Sequence, residues 1–127
     1  MISLTAESKL AIIALITRAD QLSTERKVED YATLFTANGQ ISGAKGTATG
    51  HEALMRFTKM TWDKEPQRSQ HLTVAPLIMS VRDQDVFAQS TLLIVNPSDR
   101  SIVDCRPINH TVINRNGKWL FTKRQVN

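Results

Sequence analysis

The chain has a single cysteine, Cys105, so it cannot close an intramolecular disulfide, and a cysteine-based zinc site is out of reach. A lone thiol fits a reducing cytoplasm. Its three histidines, His51, His71 and His110, are far apart, and no His-x-x-x-His pair puts two ligands on one helix face; neither a metal nor another cofactor is expected. Glycine is scarce, at five residues, and Gly43, Gly46 and Gly50 are not followed by the Lys-Ser/Thr of a phosphate-cradling loop. No run approaches the ~18 apolar residues of a membrane helix. The opening MISLTAESKL has neither the basic start nor the apolar stretch of a secretory signal, so the expected location is the cytoplasm, with no membrane partner. The 16 basic and 12 acidic residues leave a net charge of +4, but the basic residues never cluster beyond the pairs Arg26–Lys27 and Lys123–Arg124, and no nucleic-acid partner is expected.

What is present suits one globular domain across residues 1–127: 41% of residues are apolar and 22% charged, enough to build a core without staples. The first half reads as helices. Leu10, Ile12, Ile13, Leu15 and Ile16 form an apolar stripe, with Ser3 or Thr5 as cap, in a helix running to about Asp20 or Leu22. After the polar break Ser23-Thr24-Glu25, a second helix carries Val28, Tyr31, Ala32, Leu34 and Phe35 and stops at Asn38-Gly39. Gln40–Gly50 reads as a short strand plus loop. Thr49-Gly50-His51-Glu52 fits a capping box for a third helix bearing Ala53, Leu54, Phe57 and Met60, with Trp62 at its end.

The second half reads as strands: His71–Val81, Val86–Val95, Ser101–Asn114 and Lys118–Gln125, joined by turn sequences of which Asn116-Gly117 is the strongest hairpin signal. Short turns force antiparallel pairing. Helices followed by strands predict an α+β fold in which one sheet face buries against three helices, and a curled sheet would enclose a cavity. The strand Val86–Val95 is apolar on both faces, with Val86, Ala88, Leu92 and Ile94 on one and Phe87, Leu93 and Val95 on the other. The helices can cover only one of them, so a two-fold homodimer is expected.

Four segments in order, Tyr31-Ala32-Thr33-Leu34-Phe35-Thr36-Ala37-Asn38-Gly39, Gly46…Gly50-His51-Glu52-Ala53-Leu54, Gln70-His71-Leu72-Thr73 and Asn116-Gly117-Lys118-Trp119-Leu120-Phe121…Arg124, resemble the nuclear transport factor 2-like superfamily and, within it, the SnoaL-like domains. The resemblance covers nearly the whole chain. It implies a cone, a strongly curved antiparallel sheet wrapped around three helices with a pocket at the open end, and a dimer through the outer sheet face. The superfamily includes ketosteroid isomerase, scytalone dehydratase, polyketide cyclases and plain binding proteins, so fold membership does not fix function.

The acid–base residues of the family's enzymes are largely missing. The aspartate that dehydratase-like members carry near the end of the first helix matches Ser23 or Thr24, with Asp20 one turn earlier as a substitute, and the isomerase base falls near Ser42 or Gly43. His71 matches the family's pocket histidine, and His110 stands where many relatives are acidic. An imidazole titrates near ~6.5, so either can move protons near neutrality; equally, His71 can simply bond a backbone group at a strand start. The candidate catalytic residues are thus His71, His110 and Asp20. Tyr31, Met55, Trp62, Met79 and Arg106 are the candidate ligand contacts, and each of them also suits ordinary packing or, for Arg106, a solvated pair with Asp104. Strand parity puts His71, Thr73, Ala75, Leu77 and Met79 on one side, facing the helices. Two readings follow: a pocket protein that binds a small apolar, ring-containing molecule, or an isomerase, dehydratase or cyclase with His71 as acid/base.

Overall fold

The computed structural model describes residues 3–127; residues 1 and 2 of the expected domain lie outside the described residues. Helix α1 (Ala6–Glu25) starts at Thr5, whose hydroxyl accepts the Ser8 N–H at 3.0 Å. It ends at Arg26, where a φ of 60° turns the backbone N–H onto the Leu22 and Ser23 carbonyls. The helix is nearly a turn longer than the apolar spacing predicts. The polar Ser23 and Thr24 stay helical because their hydroxyls fold back onto the Ala19 and Asp20 carbonyls. Ile12, Leu15, Ile16, Ala19 and Leu22 are buried, whereas Leu10, expected in that stripe, is exposed.

The second helix departs most from expectation. Helix α2 (Val28–Ala32) is a little over one turn, and strand β1 (Phe35–Gly43) begins at the phenylalanine assigned to the helix. Asn38-Gly39 does not stop a helix; it lies within β1, where the pairing register slips between Phe35 and Gln40. A Cβ on Gly39 would sit 2.7 Å from the Phe35 Cβ, so this irregularity accepts only glycine. Beyond it, β1 turns back into strand β2 (Gly46–Thr49). Thr49 does not cap helix α3 (His51–Asp63). It pairs in the ladder with Gln40, whose side-chain amide donates to the Thr49 hydroxyl at 3.1 Å, and Gly50 takes the cap position with a φ of 88°.

Strands β3 (Gln70–Arg82), β4 (Asp85–Asn96), β5 (Ser101–Arg115) and β6 (Lys118–Val126) form the antiparallel meander that the turns imply. Strand β1 adds beyond β6 and runs parallel to it, which is possible because the connection between them takes in most of the chain. The result is an α+β fold with a curved, unclosed six-stranded sheet in the order β2-β1-β6-β5-β4-β3. The core lies between the helices and one sheet face, with Tyr31, Phe35, Trp62 and Phe121 as its aromatic centre and the Phe35 and Phe121 rings 5.2 Å apart.

The β5–β6 turn holds Asn116 at φ 54° and Gly117 at φ 85°, positive at both central residues as a type I′ turn requires. An added Cβ on Gly117 would meet nothing within 4 Å, so a substitution there costs backbone strain alone. Gly117→Val is expected to lower stability by about 1–2 kcal/mol, read as a shifted urea midpoint with unchanged slope. An unshifted midpoint would mean that the turn relaxes to another type.

Candidate functional site

A cavity of about 280 Å³ opens between the helices and the sheet. Its walls are apolar, from Ile41, Phe57, Trp62, Leu92, Ile94 and Ile108, and its deep end carries Asp20, Tyr31, Glu65, His71 and Arg124. Two irregularities in the sheet decide which side chains arrive there. In β3 the register shifts after Val74, with Ala75 at φ 50°. His71 and Thr73 therefore face the helices before the bulge, while Ile78 does so after it, and Leu77 and Met79 turn outward. In β6 the shift between Val112↔Phe121 and Thr111↔Lys123 leaves Thr122 as an extra residue. Phe121 and Arg124, three apart, are consequently both buried on the inner face.

Arg124 is the hub of the deep end. One Nη2–H donates to Asp20 Oδ1 at 3.0 Å, Nη1–H donates to the Tyr31 hydroxyl at 3.0 Å, and Nε–H donates to His110 Nδ1 at 3.4 Å. The side chains of Asp20 and Arg124 are only 2% and 3% exposed, so this ion pair is held out of water. Burial opposes the Arg124 charge, but Tyr31 and Asp20 outweigh it and raise the guanidinium further. The Tyr31 hydroxyl is pushed up by burial, partly offset by Arg124. Thr73 donates its hydroxyl to the second oxygen of Asp20. Because Tyr31 accepts from Arg124, its own O–H is free to donate to a guest.

His71 stands on the other side of this end. Its backbone N–H donates to the Thr24 hydroxyl at 2.7 Å, which fastens the strand start to the last turn of α1. Its Nε2–H donates to Glu65 Oε1 at 2.8 Å. Glu65 also accepts from the Ser69 hydroxyl at 3.0 Å and lies 3.2 Å from the Arg26 guanidinium. Burial would raise the Glu65 carboxyl, yet His71, Ser69 and Arg26 together hold it below the ordinary range. The ionised Glu65 fixes the imidazole proton on Nε2 and leaves Nδ1 as the basic nitrogen, with no protein partner among the described residues. Trp62 packs its ring edge-on to both Tyr31, at 5.2 Å between centroids, and His71, at 6.4 Å.

The chain matches the SnoaL-like domain over residues 4–125. It belongs to that family. Among solved structures, this SnoaL-like domain is similar to a protein of unknown function with a cystatin-like fold from Nostoc punctiforme, at 28% identity and a TM-score of 0.90, covering 98% of this chain and 93% of that one. ActVI-ORFA from Streptomyces coelicolor superposes with a TM-score of 0.83 at 14% identity, over 93% and 95% of the two chains. A Catenulispora acidiphila protein in complex with S-DNPA gives 0.79 at 20% identity, over 96% and 95%. The last two share the fold alone at that identity. No curated protein matches the sequence.

Of the residues singled out in the sequence, this SnoaL-like domain brings Asp20, Tyr31, Trp62, His71 and Arg106 to the cavity. Three others do not line it. His110 lies behind Arg124 and beneath the Phe121 ring, 1% exposed, with Nε2–H donating to Ser90 Oγ at 2.8 Å. Burial, with Arg124 adding repulsion, pushes its pKa down to about 2, so it stays neutral and both its nitrogens are engaged. Met55 sits one position past Leu54, off the Leu54–Thr58–Trp62 face that α3 turns inward, and packs at the margin of the core. Met79 is half exposed and flanks a shallow groove with Lys9 and Ile13, because the β3 bulge reversed its side. His51, at the start of α3, does not line the cavity either; its Nε2–H donates to the Phe35 carbonyl at 3.0 Å.

Glu65 and the Arg124 hub were not among the sequence candidates. Glu65 sits beside Pro66 at the end of α3, where a carboxylate reads as a solvated stop signal. Arg124 sits at a parity that an unbulged strand would turn to solvent.

Proposed function

We propose that this SnoaL-like domain is a cytoplasmic pocket protein that takes up a small apolar, ring-containing molecule between its helices and sheet. The observation that carries this reading is the cavity itself. Aromatic and aliphatic walls lead to a polar end whose charges are matched in pairs, which leaves only the Tyr31 O–H and His71 Nδ1 to meet a polar atom on the ring of a guest. A structural neighbour of the same fold forms a complex with S-DNPA, which agrees with a fold able to hold a ligand. A thermal-shift screen with apolar ring compounds tests the reading. A ligand at 100 times its Kd adds about 2.7 kcal/mol of stability, a shift of several degrees.

A second reading, an isomerase, dehydratase or cyclase, is favoured by one feature: the Glu65–His71 pair. With Glu65 holding the Nε2 proton, Nδ1 can take a proton from a carbon next to a carbonyl, and the free O–H of Tyr31 can donate to the oxygen that gains charge. Under this reading His71→Ala lowers the turnover of a converted ligand by ~10²-fold or more. Under the binding reading the same variant folds and changes ligand affinity only modestly. Stopped turnover with retained binding would decide for chemistry.

The partner reading is a two-fold homodimer through the outer sheet face. Leu72, Val74 and Ile102 are exposed there, with Leu72 directly opposite the half-buried Leu93 in the ladder. Sedimentation at micromolar concentration is expected to give twice the 14.2 kDa chain mass, and a sole species at the single-chain mass would refute the dimer.

A further inference from the structure

The charges of the cavity are arranged by depth. At the deep end they are matched, Asp20 by Arg124 within the cavity and Glu65 by Arg26, which stands outside the lining. At the exposed end one pair, Arg106 with Asp104, leaves cations over. Lys45, in the turn between β1 and β2, Lys64, capping α3, and Arg106, on β5, all line the opening, against one carboxylate, Asp104. Three separate elements thus bring a cation to one rim. Arg106 is held in place by Asp104, both of whose oxygens accept from its Nε–H at 3.0 Å, which leaves its terminal nitrogens unclaimed among the described residues. Neither Lys45 nor Lys64 forms an ion pair among the described residues.

We propose that the ligand is a ring-bearing carboxylate whose ring fills the cavity and whose anionic group rests at this cationic rim. The inference rests on the reading of the cavity as a ligand site and adds the charge and orientation of the guest. A charged group buried at the deep end would lose its hydration and find the charges there already matched. At the rim it keeps water on one side and meets three cations for one anion. Exposed ion pairs are individually weak. Converging on a single group, these are expected to favour an anion over its uncharged isostere by about tenfold at low salt, and by less as salt screens them.

Naphthoate and its uncharged amide, naphthamide, have nearly the same shape and test this by calorimetric titration. Naphthoate is expected to bind the wild-type protein about tenfold more tightly at low salt. In the Lys45→Gln/Lys64→Gln variant, whose changes lie on the surface, that preference is expected to shrink to about threefold or less, with the naphthamide affinity unchanged. Equal affinities of the two probes for the wild-type protein, or a preference that survives the double substitution, would overturn the anionic assignment while leaving the cavity a ligand site. Failure of both probes to bind at millimolar concentration would overturn the pocket reading and the anionic assignment with it.

Discussion

Replacing Asp20 with alanine is expected to cost about 3–5 kcal/mol of stability, the penalty for stripping a buried charge of its partner. The Arg124 guanidinium is 3% exposed and carries a charge that Asp20 balances at 3.0 Å. Without the carboxylate, Arg124 keeps only neutral acceptors, the Tyr31 hydroxyl and His110 Nδ1, and Thr73 loses its acceptor as well. Urea unfolding of Asp20→Ala at neutral pH measures this directly. The Asp20→Ala/Arg124→Met double variant separates the pair from the packing: it removes both charges, and its loss is expected to be smaller than that of Asp20→Ala alone. A single variant within about 1 kcal/mol of wild type would show that water reaches Arg124 and that the deep end is not sealed.

Acidifying the protein from pH 7 to pH 4 is expected to remove about 3 kcal/mol through His110 alone. Its folded pKa lies at about 2, depressed by burial and then by Arg124. In the unfolded chain a histidine titrates near ~6.5. Between these values the unfolded state binds a proton that the folded state refuses, so stability falls as pH falls, by about 1.4 kcal/mol per unit, until the folded imidazole itself protonates. Glu65 acts in the same direction in a lower window. Its folded pKa is depressed, so its contribution is present above the ~4.3 of an unfolded glutamate and is lost as pH drops below that value. His110→Gln can still accept from Arg124 and donate to Ser90, so it should fold, and its stability should be flatter with pH by the His110 share. A pH profile identical to wild type in that variant would place the protonation elsewhere.

The sequence showed the architecture more plainly than the site, for a reason visible in particular residues. The meander rests on local signals, above all the Asn116-Gly117 turn and the apolar runs on either side of it, which the chain cannot satisfy in another way. His71 faces the cavity, but not for the reason its strand suggests: Leu77 and Met79, whose apolar side chains assign that side to the helices, themselves turn outward. Parity carried from His71 to Met79 fails, because Ala75 takes a positive φ and the bulge exchanges the faces of the strand. Thr122 does the same in β6 and turns Arg124 inward, where alternation would have put it in water. A bulge adds one residue with no distinctive composition, so periodicity misses it and then misplaces everything downstream. The second helix failed for a related reason. Tyr31, Leu34 and Phe35 fit helical spacing, but Phe35 instead enters β1, where its ring packs on Phe121 and the Phe121 N–H bonds the Leu34 carbonyl at 2.9 Å. Long-range pairing of this kind overrides local preference. Glu65 stayed hidden because its partners, His71, Ser69 and Arg26, meet only in the folded chain.

The central claim, that the cavity is where a small ring compound binds, is tested most directly by the fluorescence of Trp62. The chain has two tryptophans, so Trp119→Phe leaves the cavity wall as the sole tryptophan reporter. Titration with ring compounds that raise the melting temperature is expected to change Trp62 emission saturably, at the same concentrations that give the thermal shift. A rise in melting temperature with Trp62 emission unchanged, or no response of either kind at millimolar ligand, would contradict the claim.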